Sequence, residues 1–128
     1  MGRAKILMFD DDTDILELCN LILSRRSYDV FTDTTCINLF ETIDRVQPDI
    51  IFMDNWIPEH GGIDATQRLK ASEQYRHIPV IYFSANADVH LLAEKAGADT
   101  YLAKPFDIVE LERIVADTLA NSRANSNE

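Results

Sequence analysis

The sequence has no long apolar run, and this absence argues against membrane-spanning helices. Its longest uncharged apolar runs have about five residues, whereas a transmembrane helix needs roughly 20. The amino-terminal segment MGRAKILMFDD reaches acidic residues after one short apolar run, so it lacks the apolar segment of a signal peptide. Position 6 is Ile6, where N-myristoylation requires serine or threonine. We therefore expect a cytoplasmic protein with no membrane attachment.

Basic residues and cysteines are also scarce. The chain has 12 lysines and arginines against 22 aspartates and glutamates, which gives a net charge of −10. Such a charge repels polyanions, so we expect no direct binding to nucleic acids or to anionic membranes. The two cysteines, Cys19 and Cys36, fall in apolar helical patterns without a cysteine or histidine at metal-ligand spacing. This pattern predicts buried, reduced thiols.

What the sequence does have is a regular alternation of two kinds of segment. Its 128 residues are the length of one domain. Five short runs rich in β-branched and aromatic residues predict strands, at residues 5–9, 28–32, 49–53, 79–83 and 100–103. Apolar residues at helical spacing predict helices, at 13–26, 35–46, 63–72, 87–96 and 107–120. This alternation predicts an α/β doubly wound domain, with a parallel sheet and helices on both of its faces.

Capping residues and polar composition mark the boundaries of the helices and of the domain. Asp12 or Thr13 can cap the amino end of the first helix, and Gly97 marks the end of the fourth. The predicted apolar face of the first helix consists of Ile15, Leu18, Cys19, Ile22 and Leu23. We assign residues 1–121 to one domain and the polar residues 122–128 to a disordered tail, and we expect no effector domain in this chain.

Chemically active residue types collect immediately after the predicted strands. They are Asp10, Asp11 and Asp12 after the first strand, Asp54 after the third, Ser84 after the fourth and Lys104 after the fifth. Ligands of open α/β sheets bind at the carboxyl ends of the strands. Each residue alone has an ordinary explanation as a helix cap or a surface group. Two carboxylates 4 Å apart repel by about 4 kcal/mol at an effective dielectric constant of 20, so either another interaction offsets this cost or the aspartates point apart.

Four segments are similar, in order and spacing, to the receiver domains of two-component response regulators. They are ILMFDDDTDIL, PDIIFMDNWIPEHGGID, IPVIYFSANAD and AGADTYLAKPF, and the resemblance covers about residues 4–119. It implies a flavodoxin-like (βα)5 fold with strand order 2-1-3-4-5 in a single receiver domain. The implied function is phosphoacceptor in a two-component phosphorelay. Such a protein is a signalling receiver that catalyses only its own phosphorylation and dephosphorylation.

The resemblance gives the aspartates different roles. Asp54 stands at the position of the phosphoacceptor, which takes a phosphoryl group from a phosphohistidine. Asp10 and Asp11, together with Asp54 and the backbone carbonyl of Trp56, correspond to the ligands of a divalent cation. Oxygen ligands of this kind suit Mg²⁺, with Mn²⁺ as a substitute. Asp12 is then expected to face outward or to cap the first helix, where the helix dipole favours a negative group.

Other positions match residues that hold the phosphoryl group and transmit its arrival. Ser84 matches the hydroxyl residue that hydrogen-bonds the phosphoryl group, and Lys104 matches the lysine that pairs with one of its oxygens. Pro105 is implied to follow a cis peptide bond, and Tyr101 occupies the aromatic switch position. Phosphorylation is expected to draw Ser84 toward the new charge and to let Tyr101 move inward. The face formed by the fourth helix, fifth strand and fifth helix would then change for partner binding.

Some positions near the phosphoacceptor depart from the common pattern of the family. Trp56 and Asn86 occupy the two positions that commonly tune how fast the phosphoryl group is lost. We expect the indole of Trp56 to shield the acyl phosphate and slow its hydrolysis; the alternative is that it points to solvent or to a partner. In the loop after Pro58, Gly61 replaces a frequent aspartate or asparagine, whereas Gly62 matches the turn glycine of the family.

The resemblance also implies partners. The phosphoryl donor is expected to be a sensor histidine kinase or a histidine phosphotransfer protein, and the downstream protein partner is left open. We expect a monomer or a weak, phosphorylation-dependent dimer. His60, His77 and His90 have no convergent partners in the sequence, so we expect them at the surface or in loops.

Two other functions use the same residues differently. In an aspartyl phosphatase or phosphotransferase of the haloacid-dehalogenase type, Asp10 would be the nucleophile and Asp12 the general acid. That family expects threonine at position 14, where this chain has Asp14. In a pseudo-receiver, the domain would serve as a docking module without phosphorylation. Five residues that phosphorylation would need are all present and argue against this second alternative: Asp10, Asp11, Asp54, Ser84 and Lys104.

Overall fold

Strands and helices alternate along the chain in a computed structural model that describes residues 2–56 and 61–126. The strands are β1 (Lys5–Phe9), β2 (Asp29–Asp33), β3 (Ile50–Asp54), β4 (Val80–Ser84) and β5 (Thr100–Ala103). The helices are α1 (Thr13–Ser24), α2 (Leu39–Val46), α3 (Gly61–Ala71), α4 (Val89–Ala96) and α5 (Ile108–Ser126). The alternation predicted from the sequence is confirmed.

The strands form one parallel sheet in the order β2-β1-β3-β4-β5. After β2 the chain crosses back past β1 to β3, so the strand order reverses between β1 and β3, where ligands of such sheets bind. Both the doubly wound fold and the strand order are confirmed. Strand β4 begins at Val80 rather than at Pro79, because proline has no N–H to donate to the ladder.

The central strands of the sheet are buried on both faces. Every residue of β3 and β4 is buried, which is typical of central strands in a parallel sheet. Successive side chains point to opposite faces. Met8 and Phe52 pack with α1 and α5 on one face, whereas Leu7 and Met53 pack with α2 and α3 on the other. The core therefore fixes the direction of each strand, and with it the position of the residue at its carboxyl end.

Helix α1 starts at the end of the aspartate cluster. The carboxylate of Asp12 accepts hydrogen bonds from the backbone N–H groups of Asp14 and Ile15, at 3.0 and 3.3 Å, so Asp12 is the N-cap and lies outside the core. The prediction that Leu18 is buried is wrong. Leu18 is 47 % exposed, and Leu16 is buried instead, because the helix is turned so that its buried stripe runs through positions 16, 19, 22 and 23.

The carboxyl ends of two helices differ in what stops them. Helix α4 ends at Gly97, whose φ of 82° is the left-handed conformation expected there. Helix α5 continues to Ser126, so residues 122–126 are helical although the sequence predicts a disordered tail from 122. The segment contains no glycine or proline that would end the helix. Residues 127 and 128 lie outside the described residues.

The state of the two cysteines agrees with the expectation from the sequence. Cys19 and Cys36 are buried free thiols, and burial raises the pKa of each to about 12. Among the residues that the structure describes, no helix is long and apolar enough to cross a membrane.

Candidate functional site

The polar residues that follow the strands meet at one rim of the sheet. Asp10 directly follows β1, Asp54 is the last residue of β3, Ser84 is the last residue of β4, and Lys104 directly follows β5. Because these four strands are neighbours in a parallel sheet, their carboxyl ends lie side by side. Asp10, Asp54 and Ser84 are each no more than 4 % exposed.

Lys104 joins the two buried carboxylates. Its ammonium Nζ lies 2.7 Å from Oδ2 of Asp10 and 2.9 Å from Oδ1 of Asp54. The same ammonium lies 4.4 Å from the centre of the Phe83 ring, a distance at which the ring face attracts a cation. One partly buried lysine therefore pairs with two buried carboxylates that come from strands far apart in sequence.

The other oxygens of these carboxylates accept backbone hydrogen bonds. Oδ1 of Asp10 accepts from the N–H of Asp12 at 2.9 Å, and Oδ2 of Asp54 accepts from the N–H of Trp56 at 3.0 Å. Each carboxylate oxygen has two lone pairs, so these bonds leave acceptor capacity at both groups. The orientation of each carboxylate is fixed before any ligand arrives.

Asp11 completes a set of ligands for a cation. One carboxylate oxygen from each of Asp10, Asp11 and Asp54 lies within 4.8 Å of the others, and Asp11 is exposed at the edge of the group. Such an all-oxygen set with an open side fits a hard divalent cation that keeps several of its waters. The donor set therefore fits Mg²⁺.

The electrostatics of the group reflect burial and an excess of negative charge. Burial raises the pKa of the Asp10 carboxyl, and the nearby charge of Asp54 raises it further, against the hydrogen bond from Lys104, which lowers it. Burial by itself lowers the pKa of Lys104, but the hydrogen bonds to Asp10 and Asp54 outweigh it, so the pKa is raised. Lys104 is therefore charged at neutral pH, and the site gains from a further cation.

Ser84 and Tyr101, the two residues for which the resemblance implies a switch, lie in the neighbouring strands β4 and β5. The hydroxyl Oγ of Ser84 accepts a hydrogen bond from the N–H of Asn86 at 3.0 Å, and its own proton remains available to donate. Tyr101 is 41 % exposed, and its ring centre lies 5.3 Å from that of His90. The peptide bond between Lys104 and Pro105 is cis.

Trp56 and Gly62 lie next to Asp54. The side chain of Trp56 is 73 % exposed, so it does not cover Asp54 in this structure. Gly62 packs directly on the backbone of Asp54, since a Cβ atom at Gly62 would lie 2.1 Å from the carbonyl oxygen of Asp54. Pro58 and His60 lie outside the described residues.

A contact between Tyr82 and Asn55 was not anticipated from the sequence. Tyr82 is fully buried in β4, and its hydroxyl donates a hydrogen bond to the side-chain oxygen Oδ1 of Asn55. Burial raises the pKa of Tyr82 to about 12, with a further contribution from the charge of Asp54, so the hydroxyl stays a donor. A tyrosine within a strand of otherwise apolar residues was the available signal, because a buried hydroxyl requires a partner.

The structure also has a concave surface away from this rim. A cleft of about 560 Å³ opens at the amino ends of β4 and β5. It is lined by His77, Pro79, Asp99, Thr100, Thr118, Asn121 and Ser122. The polar rim is identified by its chemistry rather than by concavity, because its carboxylates and its ammonium lie within hydrogen-bond distance of one another. His77 and His90 are exposed, as predicted.

Comparisons with known protein sequences give one family. The family described as response regulator receiver domain matches residues 6–116. The chain is 31 % identical over 117 residues to sporulation initiation phosphotransferase F of Bacillus subtilis, covering 90 % of this chain and 93 % of that protein. It is 34 % identical over 109 residues to the DNA-binding dual master transcriptional regulator RpaA of Synechocystis, covering 84 % of this chain and 45 % of that protein.

A solved structure agrees with the sequence comparisons. A putative response regulator from Chloroflexus aurantiacus superposes with a TM-score of 0.87 at 26 % identity, covering 93 % of this chain and 99 % of that one. The chain spans about half the length of the DNA-binding regulators that it matches. The shared part is therefore the receiver domain rather than the DNA-binding part of those relatives.

Proposed function

Because the chain belongs to the response regulator receiver domains, which accept a phosphoryl group in two-component signalling, we propose that Asp54 is its phosphoacceptor. One observation carries this assignment. Lys104 bridges Asp10 and Asp54 at the buried carboxyl ends of the strands, which is where an acceptor, a charge-balancing cation and a phosphoryl-binding ammonium must converge.

In the proposed reaction, an oxygen of Asp54 attacks the phosphorus of a phosphohistidine on the partner. A phosphorus–oxygen bond forms, which makes an acyl phosphate, and the phosphorus–nitrogen bond breaks. The imidazole leaves with the electron pair of that bond and takes up a proton. The carboxylate is already oriented by the N–H of Trp56, so little reorganisation precedes the attack.

Asp10, Asp11, Asp54 and the backbone carbonyl of Trp56 would hold the divalent cation. Bound Mg²⁺, or Mn²⁺ in its place, supplies positive charge to the phosphoryl oxygens. Lys104 can move its hydrogen bond from Asp54 to a phosphoryl oxygen while it keeps its bond to Asp10. The chain itself thus provides positioning and charge, which is most of the catalysis that phosphoryl transfer requires.

Ser84 and Tyr101 would convert phosphorylation into a change of surface. The Ser84 hydroxyl can donate a hydrogen bond to the new phosphoryl group. This bond would draw the start of the β4–α4 connection toward Asp54. Tyr101 is half exposed before phosphorylation, so it has room to turn inward. The α4-β5-α5 face would then be the surface that a downstream partner binds.

The rate of phosphoryl loss would depend on Trp56 and Asn86. Since the indole is 73 % exposed, shielding of the acyl phosphate requires the side chain to rotate over Asp54 after phosphorylation. A Trp56→Asn variant that loses the phosphoryl group no faster than the wild type would contradict shielding. Asn86 already donates its N–H to Ser84, and its side-chain oxygen accepts a hydrogen bond from the N–H of Asp88.

The proposed partners follow from the family and the charge. Receiver domains interact with histidine kinases, and we propose a sensor histidine kinase or a histidine phosphotransfer protein as the donor here, in the cytoplasm. The net charge of −10 argues against direct binding of this domain to nucleic acid. We propose a monomer, or a weak dimer that forms on phosphorylation. The protein would act as a signalling receiver that catalyses only its own phosphorylation and dephosphorylation.

Phosphoryl uptake from acetyl phosphate tests the proposal. With Mg²⁺, the intact mass of the wild-type chain should increase by one phosphoryl group, and chelation of the metal should prevent the increase. Asp54→Asn should remove the uptake. If instead Asp10→Asn removes it and Asp54→Asn keeps it, the dehalogenase-type reaction is correct; however, Asp12 already caps α1 and is not free as a general acid there. No uptake and no Mg²⁺ binding by the wild type would indicate a pseudo-receiver.

A further inference from the structure

Asn55, directly after the proposed phosphoacceptor, is held at three points. Its backbone N–H donates to the carbonyl of Phe83 in β4 at 3.2 Å, and its own carbonyl accepts from the N–H of Gly62 at 3.2 Å. Its side-chain oxygen accepts from the hydroxyl of Tyr82. The first two bonds use only backbone atoms and are open to any sequence. The third depends on two particular side chains.

Tyr82 is well placed to hold Asn55 rigidly. Its side chain is fully buried, and it packs in a cluster with residues of α4 and with Ile63 of α3. A buried aromatic ring in such a cluster has little freedom, so its hydroxyl is a fixed donor. Within β4, the backbone of Tyr82 is also in register with Met53 of β3 and with Tyr101 of β5.

The next residue connects this anchor to the reactive group. The N–H of Trp56 donates to Oδ2 of Asp54 at 3.0 Å, and the carbonyl of the same residue is the proposed fourth ligand of the cation. A change in the position of Asn55 therefore moves both the hydrogen bond on the Asp54 carboxylate and a ligand atom of the metal site. Asn55 is the residue through which such a change passes.

We propose that the Tyr82 hydroxyl is a positioning group for this site: its bond to Asn55 holds the segment Asp54–Trp56 so that the cation ligands converge. This inference rests on the proposed function, and it deepens that function by naming a residue that never touches the phosphoryl group. Tyr82→Phe keeps the ring and its packing but removes the bond. The loop can then relax, and cation binding becomes weaker.

Mg²⁺ titration followed by tryptophan fluorescence tests the inference. Trp56 is the single tryptophan of the chain, and its amide binds Asp54, so its emission should respond to the cation. For Tyr82→Phe we expect the dissociation constant of Mg²⁺ to increase about three- to tenfold, the scale of one neutral hydrogen bond. Phosphoryl uptake from acetyl phosphate should be slower at low Mg²⁺ and should recover at saturating Mg²⁺.

Three further variants separate positioning from general stability. Tyr75→Phe removes a tyrosine hydroxyl that donates to Asp44 of α2 at 2.7 Å, and it should leave Mg²⁺ affinity unchanged. Asn55→Ala removes the acceptor of the same hydrogen bond at a residue that is only partly buried. It should therefore weaken Mg²⁺ binding even if Tyr82→Phe folds poorly. In the double variant, loss of the hydroxyl should add nothing to the effect of Asn55→Ala.

The outcomes distinguish this inference from the proposed function. Wild-type Mg²⁺ affinity in both Tyr82→Phe and Asn55→Ala overturns the inference. The inference is also overturned if Tyr82→Phe weakens Mg²⁺ binding by the same factor in the wild-type chain and in the Asn55→Ala variant. Either result leaves the proposed function intact if the wild type still takes up phosphate on Asp54. If the wild type binds no Mg²⁺ and takes up no phosphate, the proposed function fails first, and the inference fails with it.

Discussion

The two ends of the sheet each contain a partly buried lysine, and the two lysines are paired in different ways. At the carboxyl end, Lys104 is 15 % exposed and contacts two carboxylates that are almost fully buried. At the amino end, Lys70 is 17 % exposed and contacts one carboxylate, that of Asp99, which is 48 % exposed. Burial of each ammonium group therefore carries a desolvation cost, but only at the amino end does one carboxylate balance one lysine.

The amino end is complete as it stands. The ammonium of Lys70 lies 2.6 Å from Asp99 Oδ2, 2.8 Å from the carbonyl of Ile78 and 3.1 Å from the carbonyl of Arg76. Three acceptors match the three donors of an ammonium group. Asp99 also accepts from the N–H of Val80 at 2.7 Å. This cluster ties the segment after α3 to the start of β5, and it leaves the ammonium of Lys70 no further N–H to donate to a ligand.

The carboxyl end lacks such a match between charges. Asp10, Asp11 and Asp54 bring three negative charges to one positive charge, and two of the three are buried. The structure tolerates this imbalance, which a cation or a phosphoryl–cation pair would relieve. We therefore expect the matched pair at the amino end to be structural and the unmatched group at the carboxyl end to be the reactive one.

The free energy of unfolding should respond most strongly to removal of the two lysines. Without metal, Lys104→Met leaves two buried carboxylates unpaired, and we expect a loss of about 3–5 kcal/mol. Lys70→Met leaves a half-exposed carboxylate and two carbonyls, and we expect a loss of about 1–3 kcal/mol. Urea unfolding with and without Mg²⁺ measures both. Mg²⁺ should restore part of the loss for Lys104→Met only; equal rescue of both variants would contradict the assignment.

The same pair of variants should separate more sharply in phosphoryl uptake. Since Lys104 is proposed to bind a phosphoryl oxygen in the transition state, Lys104→Met should slow uptake from acetyl phosphate by roughly 100- to 1,000-fold. Lys70→Met should stay within about twofold of the wild type, because its cluster lies at the opposite end of the sheet. Initial rates at saturating Mg²⁺, at a temperature where both variants are folded, measure this difference. Comparable losses in both would show that uptake follows stability alone.

The sequence was sufficient for the fold because each strand and helix carried its own periodic signal. The apolar runs gave β1 and β5 their bounds, and Asp12 and Gly97 marked helix ends by capping chemistry that depends on local residues. Leu18 was placed wrongly because it fits the helical spacing as well as Leu16 does. The choice between them depends on how α1 sits on the sheet, which is a tertiary property.

The site was predictable where the family pattern carries residue types at fixed positions. Asp10, Asp54 and Lys104 follow strands, so their convergence followed from the fold. The hydrogen bond between Tyr82 and Asn55 was not predictable in this way. It depends on how deeply the Tyr82 ring is buried beside β3 and on the orientation of the Asn55 side-chain amide, and both are tertiary properties. The pairing of Lys70 with Asp99 was missed for the same reason.

Substitution of a glycine by alanine should also cost more stability at the carboxyl end of the sheet than at the amino end. The difference should be smaller than that between the two lysine variants. A Cβ at Gly62 would meet the Asp54 carbonyl at 2.1 Å, whereas a Cβ at Gly97 would lie 3.8 Å from the Lys70 side chain. Gly62→Ala should therefore cost about 1–3 kcal/mol through overpacking and should also weaken Mg²⁺ binding. Gly97→Ala has only the strain of its φ of 82°, about 1 kcal/mol. Mg²⁺ affinity lowered equally by both substitutions would contradict this.

The reactivity of the two buried thiols should report how often the carboxyl end of the sheet opens. Because the pKa of each is raised to about 12, only ~10⁻⁴ of either thiol is ionised at pH 8 in the folded state. A disulfide reagent can then label a thiol only after the structure around that thiol opens.

The pKa of Cys19 already responds to the charges of Asp10 and Lys104, so this thiol lies near the proposed metal site. Mg²⁺ at ten times its dissociation constant should slow the labelling of Cys19 about tenfold, and the Asp54→Asn variant should lose most of this protection. Labelling that is fast at pH 8, or that ignores Mg²⁺ in the wild type, would mean that the carboxyl end opens independently of its charge balance.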